Sequence, residues 1–468
     1  MQFLSTRGMA PPTSFSDVLL AGLAPDGGLY LPESWPQFAP AQIAAFKDAR
    51  YQDVAFQILS EFTRGSFSDA ELRAAIDAAY AGFDAPVIAP LTEIGEGRYL
   101  LELFHGPTLA FKDIALQVLG QLFSRALTKR GGRATIVAAT SGDTGSAAIA
   151  ALGGLANIDV FVMHPRGRVS DVQRLQMTTS SHANVHNIAL EGSFDDAQGI
   201  VKALFADKAF ADEISLTAVN SINFARIAAQ CVYYFTATAI LEKPVTFVVP
   251  TGNFGDIFAG EAASRMGLDV ARLVIATNAN DIMARALNEG VYASGASHAT
   301  LSPSMDIQVA SNFERLLFDV YGRDGGAVRQ LMASLAQSRQ FALSEHALSG
   351  MRAAFSADRA DEEETAATIR TMLRETGHFI DPHTAVGVAV AEKENRDPSV
   401  PMVVLGTAHP AKFPDAVEAA CGVRPALPQW LAGLDQRPER VTTLPVDPRA
   451  VERHILSVSR AAHEGAAA

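Results

Sequence analysis

The sequence predicts an α/β protein built on parallel sheets, with a small, mostly helical domain at its N-terminus. Two observations carry this expectation. From Tyr99 onward, short β-branched and apolar runs alternate with amphipathic stretches, so each strand needs a helical crossover to reach the next. Before about Pro90 the apolar residues recur at helical spacing instead. The expected N-terminal helices cover residues 41–46, 54–62 and 69–80, behind the turn Ala24-Pro25-Asp26-Gly27-Gly28. The expected strands are 133–139, 158–163, 185–190, 246–249, 273–277 and 402–405. Residues 324–377 read as helical and charged, with Asp361-Glu362-Glu363-Glu364 as a solvated helix start. His378 and His383 flank Asp381-Pro382, the pattern of a helix N-cap followed by proline rather than of a metal pair. Beyond Pro425 the chain is rich in proline and arginine, and a loosely packed tail is expected there.

At 468 residues the chain is long enough for two or three domains. A hydrophobic share of 48% with 19% charged residues fits a globular protein with a large interior. The net charge of −13 argues against a broad nucleic-acid surface, which would need clustered Lys and Arg to replace phosphate counterions. An anionic substrate then requires basic groups concentrated locally. Cys231 and Cys421 are the only cysteines and both fall in apolar helical segments, so no disulfide or zinc framework is expected, and a reducing cytoplasm fits. Neither a signal-peptide core at the start nor an apolar run of about 20 residues is evident, so no membrane association is expected.

Five segments could carry chemistry. In Phe104-His105-Gly106-Pro107-Thr108-Leu109-Ala110-Phe111-Lys112-Asp113, a kinked loop delivers Lys112 to the start of an apolar helix. A lysine at a positive helix N-terminus among apolar residues is suited to attack a carbonyl carbon, which makes Lys112 a candidate Schiff-base residue. The loop Thr140-Ser141-Gly142-Asp143-Thr144-Gly145 joins a strand to a helix and gathers N–H and O–H donors for a phosphate or a carboxylate. Pro250-Thr251-Gly252-Asn253-Phe254-Gly255-Asp256 repeats that logic and is a second anion cradle. Neither loop has the lysine of an ATP-binding P-loop or the glycine spacing of a dinucleotide fold. In Gly406-Thr407-Ala408-His409-Pro410-Ala411-Lys412, the Thr407 hydroxyl could hydrogen-bond a neutral ring nitrogen, while His409 and Lys412 could supply local positive charge. Finally, Asn220-Ser221-Ile222-Asn223-Phe224-Ala225-Arg226 opens a helix with Asn223 and Arg226 on one face, and Arg226 suits a bidentate contact with phosphate or carboxylate.

Taken in order, these segments resemble the threonine synthases, pyridoxal phosphate (PLP)-dependent enzymes of fold type II. The resemblance spans the chain, beginning at Ser5-Thr6-Arg7-Gly8 and extending through Asp381-Pro382-His383-Thr384-Ala385. It lies with members that lack the N-terminal extension through which S-adenosylmethionine activates plant enzymes, so control of that kind is not expected. It implies a tryptophan synthase β-like fold with two parallel-type open sheets flanked by helices. The corresponding domains are 1–92, a catalytic core 93–424 with a nested subdomain at about 113–240, and a tail 425–468. It further implies that Lys112 carries PLP, that Gly252, Asn253, Phe254, Gly255 and Asp256 bind its phosphate, and that Thr407 faces the pyridine nitrogen. Asp256 fits beside a phosphate only if its side chain turns away while the backbone donates. Ser141, Asp143 and Thr144 line the loop expected to hold the substrate carboxylate, with Asn223, Arg226 and Lys412 as further substrate contacts. The implied reaction converts O-phospho-L-homoserine and water to L-threonine and phosphate. A phospholyase or dehydratase releasing 2-oxobutyrate is the alternative. A monomer or weak homodimer is expected, with no metal, and the leaving phosphate is left to Arg226, Lys412, His409 or Arg168.

Overall fold

Val245–Pro250 is buried at every position, as a central strand of a parallel sheet covered on both faces must be. In this computed structural model, which describes residues 1–84, 87–217, 221–395 and 397–465, it lies inside a six-stranded sheet. The strand order is Phe355–Arg359, Val270–Thr277, Val245–Pro250, Met402–Gly406, Arg98–Glu102, Leu91–Gly95. All neighbours are parallel except the last pair, an antiparallel edge. A second sheet, parallel throughout, runs Thr442–Leu444, Val185–Leu190, Ile158–Pro165, Ala134–Ala139, Leu216–Thr217. The two parallel open sheets expected from the sequence are therefore present.

Two 18-residue helices, Lys112–Lys129 and Phe224–Leu241, pack against each other in the principal core. Phe224–Leu241 also packs on Tyr51–Thr63 and Gly255–Arg265. It is long and apolar enough to cross a membrane, but 89% of it is buried inside the protein, where an all-round apolar helix satisfies itself against other helices.

The N-terminal region holds its expected helices and, in addition, a small antiparallel sheet of Thr13–Ser14, Gln2–Ser5 and Tyr30–Pro32. It is tied to the core by charge. The Thr6 hydroxyl donates to Glu314 Oε1 at 2.6 Å, and Arg7 pairs with the same carboxylate at 3.1 Å. The fully buried Arg315 donates to the Tyr30 carbonyl at 3.0 Å and the Ile222 carbonyl at 2.5 Å, and to Asn312 Oδ1.

Two expectations need correction. Residues 324–377 are not helical throughout, since Phe355–Arg359 is the edge strand of the main sheet. Its alternation is masked by the polar residues that an edge tolerates. The tail expected at 425–468 is not loosely packed over its described residues, 425–465, either. Thr442–Leu444 adds a parallel strand beside Val185–Leu190, and the helix Pro448–Val458 buries Val451 and Ile455 completely against the second sheet's core. Arg460 then closes on the buried Asp159, with Nε 2.6 Å from Oδ1. Proline and arginine suggested a loop, yet Asp447-Pro448 is an N-cap with proline at the first helical position, and Val451 and Ile455 are spaced i, i+4.

Ile455→Ala should therefore cost the ~2–5 kcal/mol of a buried large-to-small change, read from the urea denaturation midpoint. An unchanged midpoint would restore the loose-tail picture.

Candidate active site

The loop before Lys112 is locked by Asp113, whose carboxylate accepts from the Thr108 amide at 2.8 Å and the Thr108 hydroxyl at 2.7 Å. Gly106 is required beneath it, because a Cβ there would lie 2.5 Å from the Asp113 Cβ. The Thr407–Lys412 loop is laced to this turn. The Phe111 amide donates to the Thr407 carbonyl at 2.9 Å, and the His409 amide to the Leu109 carbonyl at 3.0 Å. Lys112 and Thr407 are thus brought to one place by backbone bonds at the carboxyl ends of strands.

Lys112 is buried, and its surroundings are not simply apolar as expected. Its Nζ donates to Asp143 Oδ2 at 3.0 Å and to Ser304 Oγ at 3.4 Å. Asp143, also buried, accepts from Gln173 Nε2 at 2.8 Å and Ser304 Oγ at 2.8 Å, and lies 3.4 Å from Lys412 Nζ. Burial opposes its charge, but Lys112 and Lys412 overcome this and hold its carboxyl well below the usual range. The backbone N–H of Ser304 donates to His383 Nε2 at 3.2 Å, so the other ring nitrogen carries the proton donated to Asp381 at 2.6 Å. Asp381 caps the helix Pro382–Lys393 as the sequence suggested.

The second anion loop approaches Ser304 so closely that a Cβ on Gly252 would fall 2.7 Å from the Ser304 carbonyl. Phe254 adopts the left-handed region, φ 63°, and starts the helix Gly255–Arg265. Asn312 holds the loop, donating to the Asn253 carbonyl from its side chain at 3.0 Å and its amide at 3.1 Å. Asp256 turns its carboxylate onto the hydroxyls of Tyr233 and Tyr234, and burial raises its pKa to about 6. Nearby, Arg226 is buried with Nε and one Nη unpartnered among the described residues, and burial lowers its pKa to about 10. The Thr407 hydroxyl is likewise buried and unpartnered.

PLP needs an amine for its aldehyde, a cradle for its phosphate and a neutral donor for its ring nitrogen. Lys112, the Gly252–Asp256 loop at a helix N-terminus and the unpartnered Thr407 hydroxyl fit that set. Arg226 offers two free donors beside it.

Other expected contacts are placed differently. Asn223 caps its helix, accepting from the Ala225 amide at 3.1 Å, and donates to the Leu19 carbonyl at 2.8 Å, so its carboxamide is used within the fold. Ala218, Val219 and Asn220 lie outside the described residues. Lys412 is fully enclosed, donating to the Thr108 carbonyl at 2.5 Å, Gln176 Oε1 at 3.1 Å and Ser146 Oγ at 3.2 Å. It is a partner of Asp143, not an open phosphate ligand. Burial lowers the pKa of His409 to about 4, which removes it as a source of positive charge near neutrality. Arg168 is exposed beyond the strand Ile158–Pro165, while Ser141 and Thr144 sit half-buried at the start of the helix Asp143–Leu152. Sequence reasoning missed Ser304 and Gln173, because neither lies in a motif and the fold alone brings them to Asp143.

The comparisons with known proteins agree with this geometry. The profile described as "Threonine synthase N terminus" matches residues 2–80, "Pyridoxal-phosphate dependent enzyme" matches 87–360, and "Threonine synthase, C-terminal" matches 384–455. The threonine synthase of Pseudomonas aeruginosa is 51% identical over 95% of this chain and 96% of its own length. The crystal structure of PLP-bound threonine synthase from Brucella melitensis superposes with a TM-score of 0.96 at 53% identity, covering 98% of this chain and all of that one. Yeast threonine synthase superposes at 0.94 with 38% identity, covering 98% of each chain. Fold and site together define a PLP-dependent enzyme of fold type II. More narrowly, the chain belongs to the threonine synthase family, and its activity is that of a threonine synthase, a lyase of threonine biosynthesis.

The raised pKa of Asp256 sets a pH dependence. The folded state holds this proton more tightly than an unfolded chain, whose value is 3.8, so its stabilising contribution is complete below about pH 4 and is lost as pH rises through about 6. That loss amounts to ~3 kcal/mol for a shift of about two units. In cofactor-free protein, Asp256→Asn should flatten this slope in urea titrations between pH 4 and 7.

Proposed function

We propose that the chain converts O-phospho-L-homoserine and water to L-threonine and phosphate, with Lys112 as the residue that bears PLP and moves the substrate protons. The observation that carries this reading is the buried Lys112 amine beside a carboxylate, next to a glycine-lined anion loop and an unpartnered threonine hydroxyl. When bound, PLP supplies the electron sink for the carbanions that loss of the α and β protons creates.

The chain's own residues do the rest. Gly252, Asn253, Phe254, Gly255 and Asp256 hold the cofactor phosphate through backbone donors, with the Asp256 carboxylate kept away by Tyr233 and Tyr234. The Thr407 hydroxyl donates to a ring nitrogen that stays neutral. Ser141 and Thr144 receive the substrate carboxylate at the N-terminus of the helix Asp143–Leu152, while the Asp143 side chain faces Lys112 instead. Arg226 offers its free N–H groups to a phosphate, and Arg168 stands at the surface as a second basic candidate. Lys112, once released by substrate, takes the α proton and then a β proton from one fixed position. The γ-phosphate leaves with its bridging oxygen, and one of the two protons goes to the γ carbon to complete the methyl group. Water adds its hydroxyl at the β carbon while its proton goes to the phosphate, and the other proton returns to the α carbon.

The same reading divides the chain into 1–92 and a core 93–424 with its nested unit at about 113–240. From the tail assigned to 425–468, Thr442–Leu444 extends that nested unit's sheet. The enzyme works as a monomer or weak homodimer in the cytoplasm, a setting that suits the free thiols of Cys231 and Cys421. Size-exclusion chromatography with light scattering tests the first point.

With O-phospho-L-homoserine, threonine and phosphate should appear in equal amounts, and Lys112→Ala should abolish both. Phosphate matched by 2-oxobutyrate would reassign the enzyme as a phospholyase of the same scaffold. Thr407→Asp would protonate the ring nitrogen and strengthen the electron sink, so the 2-oxobutyrate share should rise severalfold. An unchanged product ratio would remove Thr407 from control of that branch.

A further inference from the structure

The motif reading gave Lys412 to the substrate, but the structure encloses its side chain completely and leaves its ammonium 3.4 Å from Asp143 Oδ1. The other oxygen of that carboxylate lies 3.0 Å from Lys112 Nζ. One buried anion therefore stands between two buried lysines, one of which must lose and regain a proton during turnover. We propose that Lys412 is a positioning residue that tunes the proton affinity of the Lys112 nitrogen through Asp143. The proposal rests on the assignment of Lys112 as the cofactor-bearing lysine.

A buried carboxylate facing Lys112 alone would favour its ammonium form, since a nearby opposite charge favours the charged form. Lys412 shares that carboxylate and adds a like charge beyond it, which weakens the hold on Lys112. Gln173 and Ser304 keep the carboxylate oriented between the two. The other ionisable groups acting here are fewer in effect. Asp113 faces Lys412 and the Thr108 turn, Asp256 is turned to its tyrosines, Arg226 lies on the Asp256 side, and His383 acts on Asp143 from behind Ser304. None of these contacts Lys112 Nζ as Asp143 does.

Opposite signs follow for two variants. Asp143→Asn removes the attraction and leaves Lys412 as an uncompensated positive neighbour, so the Lys112 nitrogen should release its proton at lower pH. Lys412→Met removes the competing cation and leaves Asp143 to Lys112 alone, so release should move to higher pH. The readout is the visible absorption band of the PLP-loaded protein titrated between pH 6 and 10. Displacements of about one pH unit or more are expected, downward for Asp143→Asn and upward for Lys412→Met. If the band does not titrate in this range, the pH at which cofactor-free chain captures PLP at half its maximal rate serves as the midpoint, with the same signs.

If Lys412→Met does not fold, the Asp143→Asn/Lys412→Met double variant replaces it, since it removes both members of the Asp143–Lys412 pair together. Its midpoint should lie above that of Asp143→Asn, and equality of the two would overturn the proposal. So would an unchanged or lowered midpoint in Lys412→Met, and a raised KM with an unchanged midpoint would return Lys412 to the substrate. Wild-type protein without any visible band would defeat the Lys112 assignment itself, which keeps the two failures distinct.

Discussion

The Asp143 carboxylate is the contact on which the site's construction depends. It is buried and charged, a state that costs several kcal/mol per ion unless every lone pair is answered. The answers come from four places: Lys112 at the head of its helix, Lys412 after the strand Met402–Gly406, Gln173 on the helix Asp171–Thr178, and Ser304 in the turn Pro303–Met305. These segments are far apart in sequence. Their convergence gives the Lys112 nitrogen a single position between the two parallel sheets, and a proton can be taken from two adjacent carbons only by a group held so firmly.

The anion loop depends on a second buried charge. Arg315 joins the carbonyls of Tyr30 and Ile222 to Asn312, and Asn312 in turn holds the Asn253 carbonyl. The N-terminal region, the segment leading to Arg226 and the cradle are thereby fixed to one guanidinium, whose pKa burial lowers to about 9. The small N-terminal sheet accordingly contributes to the active site without touching it. Removing the Tyr30 carbonyl from Arg315 would leave a buried cation short of a partner at the base of the loop.

Much of this was legible in the sequence, and the boundary of legibility has a physical cause. Strands such as Met402–Gly406 and Val245–Pro250 announced themselves because buried parallel strands are almost continuously apolar. Lys112, the two strand-to-helix loops and Thr407 stand out because glycine, proline and hydroxyl residues mark strand-to-helix turns, and the structure brings them to one place. Ser304 and Gln173 were not, since an ordinary serine and glutamine acquire their roles only when the two sheets are placed together. Lys412 and Asn223 were legible as important residues but assigned to the wrong partner, because spacing shows which residues share a face and not which buried charge lies opposite. The edge strand Phe355–Arg359 and the final helix Pro448–Val458 were obscured by polar residues and prolines that an edge and a capped helix tolerate.

Asp256 shows how a cradle for an anion accommodates a carboxylate. Its charge at the head of the helix Gly255–Arg265 would compete for the very donors that a phosphate needs. Two tyrosine hydroxyls from the neighbouring helix instead bind the carboxylate, and Tyr234 also donates to its backbone carbonyl at 3.0 Å. Burial raises the carboxyl toward neutrality, so a phosphate held at the loop as proposed would meet a group already prone to hold a proton. The tyrosines fix its direction, and the incoming dianion would raise its proton affinity further. The repulsion that the sequence appears to build into the cradle is thereby reduced by the same interior that creates the cradle.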